Sequence, residues 1–245
     1  MKKALSFVAC FALALALAGC GSSSASSTKK TTTTKSNGIT VAIDPGHQAQ
    51  QDLSQEPIGP GATTTKAKVA AGTTGVYTKN TEGEVNLQIA LKLQKELKAR
   101  GYKVVMIRTT QNVNISNKKR AEIANKSGAK IFLRLHCNGS TDHSVKGACA
   151  VVPTNKNTYL SKSVITNSQK LSQLVLTGMC GTTSATNRGL EYSDTMSGIN
   201  WCKIPVTILE MGFMSNKQED INLSNATYQT KVVKGIANGV DNYFK

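Results

Sequence analysis

Three short apolar runs, each closing on a side chain able to bind a metal or move a proton, constrain this chain more than any other feature. ITVAI (39–43) leads through Asp44-Pro45-Gly46 to His47. KIFLRLH (130–136) ends on His136, and PVTILE (205–210) ends on Glu210. The runs are too short for core helices and stop at turn formers or polar residues, so they read as buried strands. A parallel sheet brings the carboxyl ends of its strands to one edge, where ligand sites of open α/β sheets lie. Two histidines with a glutamate form a known ligand set for catalytic zinc, which leaves a fourth position open to water.

The rest of the pattern fits that sheet. In 82–100, Val85, Ile89, Leu93 and Leu97 recur every four residues, and Gly101 provides a C-terminal stop, so a helix is expected. YKVVMI (102–107) and GACAVV (147–152) read as further strands. Helices are expected over 117–127, capped by Ser116, over about 161–178, and over about 226–243. Residues 48–81, rich in Gly, Thr, Gln and Pro, read as a long loop at the rim of the site. Strands alternating with helices predict a single α/β domain. Its mostly parallel, twisted sheet has about five or six strands, with helices on both faces.

The N-terminal end reads differently. Lys2 and Lys3 precede an almost wholly apolar run from Phe7 to Ala18, shorter than the roughly 20 residues a bilayer span requires. It closes on LAGC, which resembles a bacterial lipobox with Cys20 as the lipidated residue. Residues 1–19 are therefore expected to be a lipoprotein signal. Residues 20–38, rich in Ser, Thr and Lys, read as an anchored tether reaching about 25 Å, and residues 39–245 as the folded domain. The expected location is the outer face of the cytoplasmic membrane, facing the wall, with the protein a monomer. The chain carries 30 Lys+Arg against 14 Asp+Glu, a net charge of +16. Such a surface favours anionic lipids and wall polymers. Nucleic acid is not the expected partner of an exported chain with 5% aromatics and no nucleic-acid motif.

Individual residues carry more than one reading. His143 lies in the polar turn STDHSVKG and reads as a surface residue. Glu82 and Glu84 both sit at a helix start, where either could be the third ligand or simply complement the helix dipole. Glu210, inside an apolar strand, is costly unless it is paired, solvated at a cleft or placed near a metal. Cys137, Cys149, Cys180 and Cys202 allow three full pairings and lack the CxxC spacing of a structural zinc site. If a bridge forms, Cys180–Cys202 is the expected pair.

From Ile39 onward the chain resembles the zinc-dependent N-acetylmuramoyl-L-alanine amidases of the Amidase_3 type. The resemblance rests on VAIDPGHQ, EGEVNLQIALKLQKELKARGYKVVMIRT, SNKKRAEIAN, RLHCNGS, NRGL and PVTILEMGFMSN, in that order. It implies zinc held by His47, Glu82 and His136, with Glu210 as catalytic acid. Glu82 takes the ligand role because the family pattern places that glutamate four residues before an asparagine, here Asn86. Arg188 in NRGL and Asn138 in RLHCNGS are the substrate-binding candidates, Arg188 for a carboxylate. The implied substrate is peptidoglycan and the implied reaction is cleavage of the amide between N-acetylmuramic acid and L-alanine. Other expectations compatible with these residues are a different zinc peptidoglycan hydrolase, a peptidase or deacetylase, and a lipid-anchored wall-binding module without turnover. A solute-binding lipoprotein fits less well, since one domain of about 200 residues is short for two lobes. Two departures stand out: Gln48-Ala49-Gln50 where the family usually has a second glycine, and Cys137 where it commonly has alanine.

Overall fold

The central sheet has the order β4-β1-β5-β8-β6-β7. Its strands are β1 (Thr40–Pro45), β4 (Lys103–Met106), β5 (Ile131–Asn138), β6 (Ala148–Val152), β7 (Asn187–Tyr192) and β8 (Val206–Phe213). Every neighbouring pair is parallel except β6–β8, which is antiparallel. The computed structural model describes residues 36–245. The proposed signal, Cys20 and nearly all of the tether lie outside the described residues. Among the described residues, no helix is long and apolar enough to cross a membrane.

Side-chain alternation along each strand builds two apolar layers. Val41, Ile43, Leu133, Leu135 and Leu209 face one side, where they pack with α1 (Glu82–Ala99), α3 (Lys162–Thr183) and α6 (Ala226–Tyr243). Ala42, Phe132, Val151 and Ile208 face the other, with α2 (Asn117–Lys126) and residues around α4 (Ser197–Asn200). A further short helix, α5 (Lys217–Ser224), links β8 to α6. The chain leaves β1 for β4 through α1 and then crosses to β5 through α2, on the opposite face. The direction of winding thus reverses between β1 and β5, and a crevice opens at their carboxyl ends.

Two expectations need correction. Residues 48–81 are not simply a loop: β2 (Asp52–Pro57) and β3 (Thr65–Val69) pair as an antiparallel hairpin. Its largely polar strands bury little, so their apolar alternation is too weak to read. β7 and the short helices α4 and α5 also form where no period announces them. Finally, Cys180 and Cys202 do not bridge. All four cysteines in the described residues are free and buried. Cys180 packs in the layer with α3, and Cys202 in the layer on the other side of the sheet.

Candidate metal centre and catalytic cleft

His47 lies just past β1 and adopts φ 60°, a left-handed conformation that costs a non-glycine residue about 1–2 kcal/mol. Two buried guanidinium groups enforce it. Arg120 donates to the Pro45 and His47 carbonyls at 3.0 Å each, and to Asp44 Oδ1 at 2.6 Å. Arg108 donates to the carbonyls of Pro45 (2.8 Å), Gly46 (2.9 Å) and Gly83 (2.8 Å). Gln48, where the family pattern usually has glycine, joins the clamp. Its Oε1 accepts from Arg120 at 2.8 Å and from the Ile115 N–H at 3.1 Å. Gly46 gives His136 its space, because a Cβ there would overlap the imidazole ring.

Three donor groups converge above this turn. Glu82 Oε1 lies 3.1 Å from His47 Nε2 and 3.1 Å from His136 Nδ1. His47 Nδ1 lies 2.8 Å from the Ala70 carbonyl, which can only accept. Nδ1 therefore carries a proton, and Nε2 faces Glu82; burial would lower the His47 pKa, but the hydrogen bond and charge of Glu82 raise it. Burial, aided by neighbouring His47, pushes the His136 pKa down to about 4 against the pull of Glu82, so that ring is neutral at physiological pH. Burial alone would raise the Glu82 pKa, but hydrogen bonds from His136 and His47 hold it well below the usual carboxylate range. The Glu82 carboxylate is also fixed by the N–H groups of Thr73 and Cys137, at 3.0 Å each, and by Asn86 Nδ2 at 3.3 Å. Cys137 thus contributes its backbone, while its thiol sits against Asn86 Oδ1 at 3.5 Å.

The rival helix-start acid has a separate task. Glu84 closes a capping box with Thr81, accepting from the Thr81 N–H and hydroxyl at 2.9 Å each. The capping meaning of an acid at a helix start thus falls to Glu84, and Glu82 is the acid of the donor cluster. His143 is exposed in its turn, as expected.

Two imidazoles and an ionised carboxylate, offering one donor atom each and these all within 4.8 Å of one another, suit a divalent cation of intermediate softness such as zinc. The chemistry of the donor set fits, and so does a buried His136 Nε2 with no hydrogen-bond partner at the same cleft.

Glu210 pairs in register with His136 on β5. Its Oε2 is enclosed and has no hydrogen-bond partner. Burial, reinforced by Glu82 and Glu191 and opposed by Arg134, pushes its pKa up to about 8. Glu210, His47 and His136 line one cleft of about 270 Å³, walled by Lys66, Ala67, Val69 and Ala70 of the hairpin region and by Met196, Ser197 and Gly198 at α4. The hairpin is therefore the roof of the site, which its sequence did not announce.

The cleft floor holds a residue to which no role is assigned from sequence. Arg134, on β5 two residues before His136, is only 2% exposed yet lines the cleft. Its Nε donates to Asp44 Oδ2 at 2.9 Å, and its Nη2 to Asn117 Oδ1 at 2.7 Å. A charge in the middle of an apolar strand was the available signal. The two substrate-binding candidates are placed elsewhere. Arg188 lies over the Phe213 ring, 5.5 Å from its centroid, and donates to the Lys146 carbonyl at 3.4 Å. Asn138 Oδ1 accepts from the Gly139 N–H at 2.8 Å. Neither lines the cleft around Glu210.

Comparison with known proteins agrees with this geometry. The N-acetylmuramoyl-L-alanine amidase from Clostridium difficile 630 superimposes with a TM-score of 0.69 at 28% identity, covering 85% of this chain and 98% of that one. The Ami1 amidase of Mycobacterium smegmatis has the same fold, with a TM-score of 0.76 at 20% identity over 85% of this chain and 98% of that chain. Among curated proteins, the amidase LytC of Bacillus subtilis is 26% identical over 208 residues. That match spans 85% of this chain but only 36% of the length of LytC. Residues 41–242 match the family description as a whole, and the chain belongs to the N-acetylmuramoyl-L-alanine amidase family, Amidase_3.

Proposed function

We propose that this protein hydrolyses the amide bond between N-acetylmuramic acid and L-alanine in peptidoglycan, with zinc held by His47, Glu82 and His136. The carrying observation is the meeting, in one cleft, of a three-donor cluster and an acid with an unpartnered oxygen. Zinc bound there supplies Lewis acidity toward the scissile carbonyl and toward an attacking water. Glu210 accepts the proton of that water and delivers it to the departing L-alanine nitrogen. Burial pushes the Glu210 pKa up to about 8 in the metal-free fold, and the charge of a dication beside it would draw that value back toward neutrality, where the carboxylate can bind and release a proton. Ala70 and Glu82 orient the imidazoles, and the hairpin roof restricts water around the developing charge.

Purified peptidoglycan digested by the zinc-loaded protein, with products read by mass spectrometry, tests this reading. Free stem peptides beginning at L-alanine, with glycan acetyl groups intact and none released by Glu210→Ala, are expected. Cleavage inside the stem or loss of acetate identifies a peptidase or a deacetylase instead. We also propose that Cys20 anchors the mature chain by lipid at the outer membrane face, with residues 21–38 as the tether. The support is the order of basic start, apolar run and LAGC.

A further inference from the structure

We propose that Arg134 recognises a free carboxylate on the stem-peptide residue that follows L-alanine, making this a specificity-determining contact of the cleft. The inference rests on the amidase reading given above. Arg134 spends two of its three nitrogens inside the protein, Nε on Asp44 and Nη2 on Asn117. Nη1 makes no hydrogen bond among the described residues. It lies against Gly198 at the cleft wall, where a Cβ would overlap it. Nη1 is thus the one nitrogen of a guanidinium otherwise held inside the protein that is left to the cleft, so it is free to take a partner that arrives with the ligand.

The partner is an anion by charge. Asp44 is shared by Arg120 and Arg134, both inside the fold, so one positive charge at the floor has no carboxylate of its own. Arg108 adds another guanidinium and spends it on carbonyl groups. Exposed Lys66, on the hairpin roof, adds positive charge to the same cleft.

The position selects which anion. Asp44 and Arg134 are register partners on adjacent strands, and the ion pair holds the guanidinium at that level. His136 lies two residues further along β5, about 6.6 Å away by strand rise. The scissile carbonyl belongs with His136 and Glu210. A group one peptide residue beyond it falls at the Arg134 level. In a chain that starts at L-alanine, that group is the α-carboxylate or α-carboxamide of the second residue, where a glutamate is joined through its side chain. A carboxylate takes a charge-assisted bond from Nη1, and a carboxamide takes only a neutral acceptor's share.

The test compares glycan–stem-peptide substrates that differ only at that group, free acid against carboxamide, with the zinc-loaded full chain. The ratio of kcat/KM values is the readout, because a purely structural role would not move it. Wild type is expected to favour the acid by about 10–100-fold, the scale of a charged hydrogen bond in a dry site. Arg134→Gln is expected to bring the ratio near one, and Arg134→Lys to keep part of it. Gly198→Ala places a Cβ against Nη1 and Cζ, so it shifts the guanidinium without removing its charge and should lower the ratio even where Arg134→Gln fails to fold. Equal cleavage of both substrates by wild type, or a ratio unmoved in Gly198→Ala and a folded Arg134 variant, overturns the proposal and leaves the amidase reading intact. Failure of the zinc-loaded wild type to release a free L-alanine amine from either substrate overturns both.

Discussion

At the scale of single residues, the site is a set of polar groups whose cost is met by one another and by what enters the cleft. Glu210 Oε2 and His136 Nε2 are the two cleft atoms that the fold encloses without a partner. Replacing Glu210 with glutamine should keep the fold and the bound metal but lower turnover by about 10²–10⁴-fold, the range for a general acid–base; steady-state kinetics with metal analysis checks both halves. Its raised pKa also has a stability signature. The folded protein binds the Glu210 proton more tightly than the unfolded chain, so the folded state loses ground as pH rises from the ordinary carboxylate value of 4.5 to about 8. In metal-free protein, Glu210→Gln should match wild type in Tm near pH 4.5 and exceed it by about 10 °C at pH 8. Thermal melts in chelator at the two pH values decide it; a constant gap would mean the carboxyl is not held protonated. Asp44 behaves oppositely. Burial opposes its ionisation, but Arg120 and Arg134 hold its pKa below the usual carboxylate range. Truncating Arg120 to alanine leaves Asp44 and the His47 turn without their clamp. It should cost about 3–5 kcal/mol in urea unfolding.

At the scale of elements, legibility followed apolar periodicity. β1, β5 and β8 were readable because short apolar runs end abruptly on polar residues, and α1 and α6 because their buried positions recur at helical spacing. The hairpin was not readable, since DLSQEP and TKAKV alternate too little, although it roofs the cleft. The same limit applied to side chains. His47, His136 and Glu210 stood out as polar ends of apolar runs, whereas Glu82 was separable from Glu84 only by the family pattern. Arg120 sat in a recognisable motif, but its role depends on reaching across to Asp44 and the turn at 45–48, which spacing does not encode. The contact of α3 with α6 was equally hidden. Gly178 and Gly235 face each other there, and a Cβ at Gly235 would stand 2.5 Å from the Gly178 carbonyl oxygen and 2.5 Å from Met179 Cα. Alanine at 235 would favour an isolated helix by up to about 1 kcal/mol. The backbone collision should outweigh that gain. A net loss of about 1–3 kcal/mol, read by chemical denaturation, is the expected result.

At the scale of the whole molecule, charge and attachment act together. Net charge is +16, with 30 Lys+Arg against 14 Asp+Glu, so the surface is basic on balance. A basic surface attracts anionic wall polymers and lipid headgroups, and salt weakens that attraction within a Debye length of about 8–10 Å. Electrostatics alone would therefore give reversible binding that a salt wash removes. A lipid at Cys20 would not respond in this way, because acyl chains stay in the bilayer through hydrophobic burial, firmly where there are two or more. The apolar run before Cys20 is shorter than a bilayer span needs, so under the proposed anchoring, retention would depend on the lipid. The tether of residues 21–38 would then let the cleft sample the wall within about 25 Å of the anchor. Cys20→Ser should move the protein from the membrane fraction to the soluble fraction after a high-salt wash, with zinc content and turnover in solution unchanged. Wild type should stay with the membrane through the same wash. Retention of both proteins would instead assign attachment to an uncleaved N-terminal segment, and release of both would assign it to surface charge.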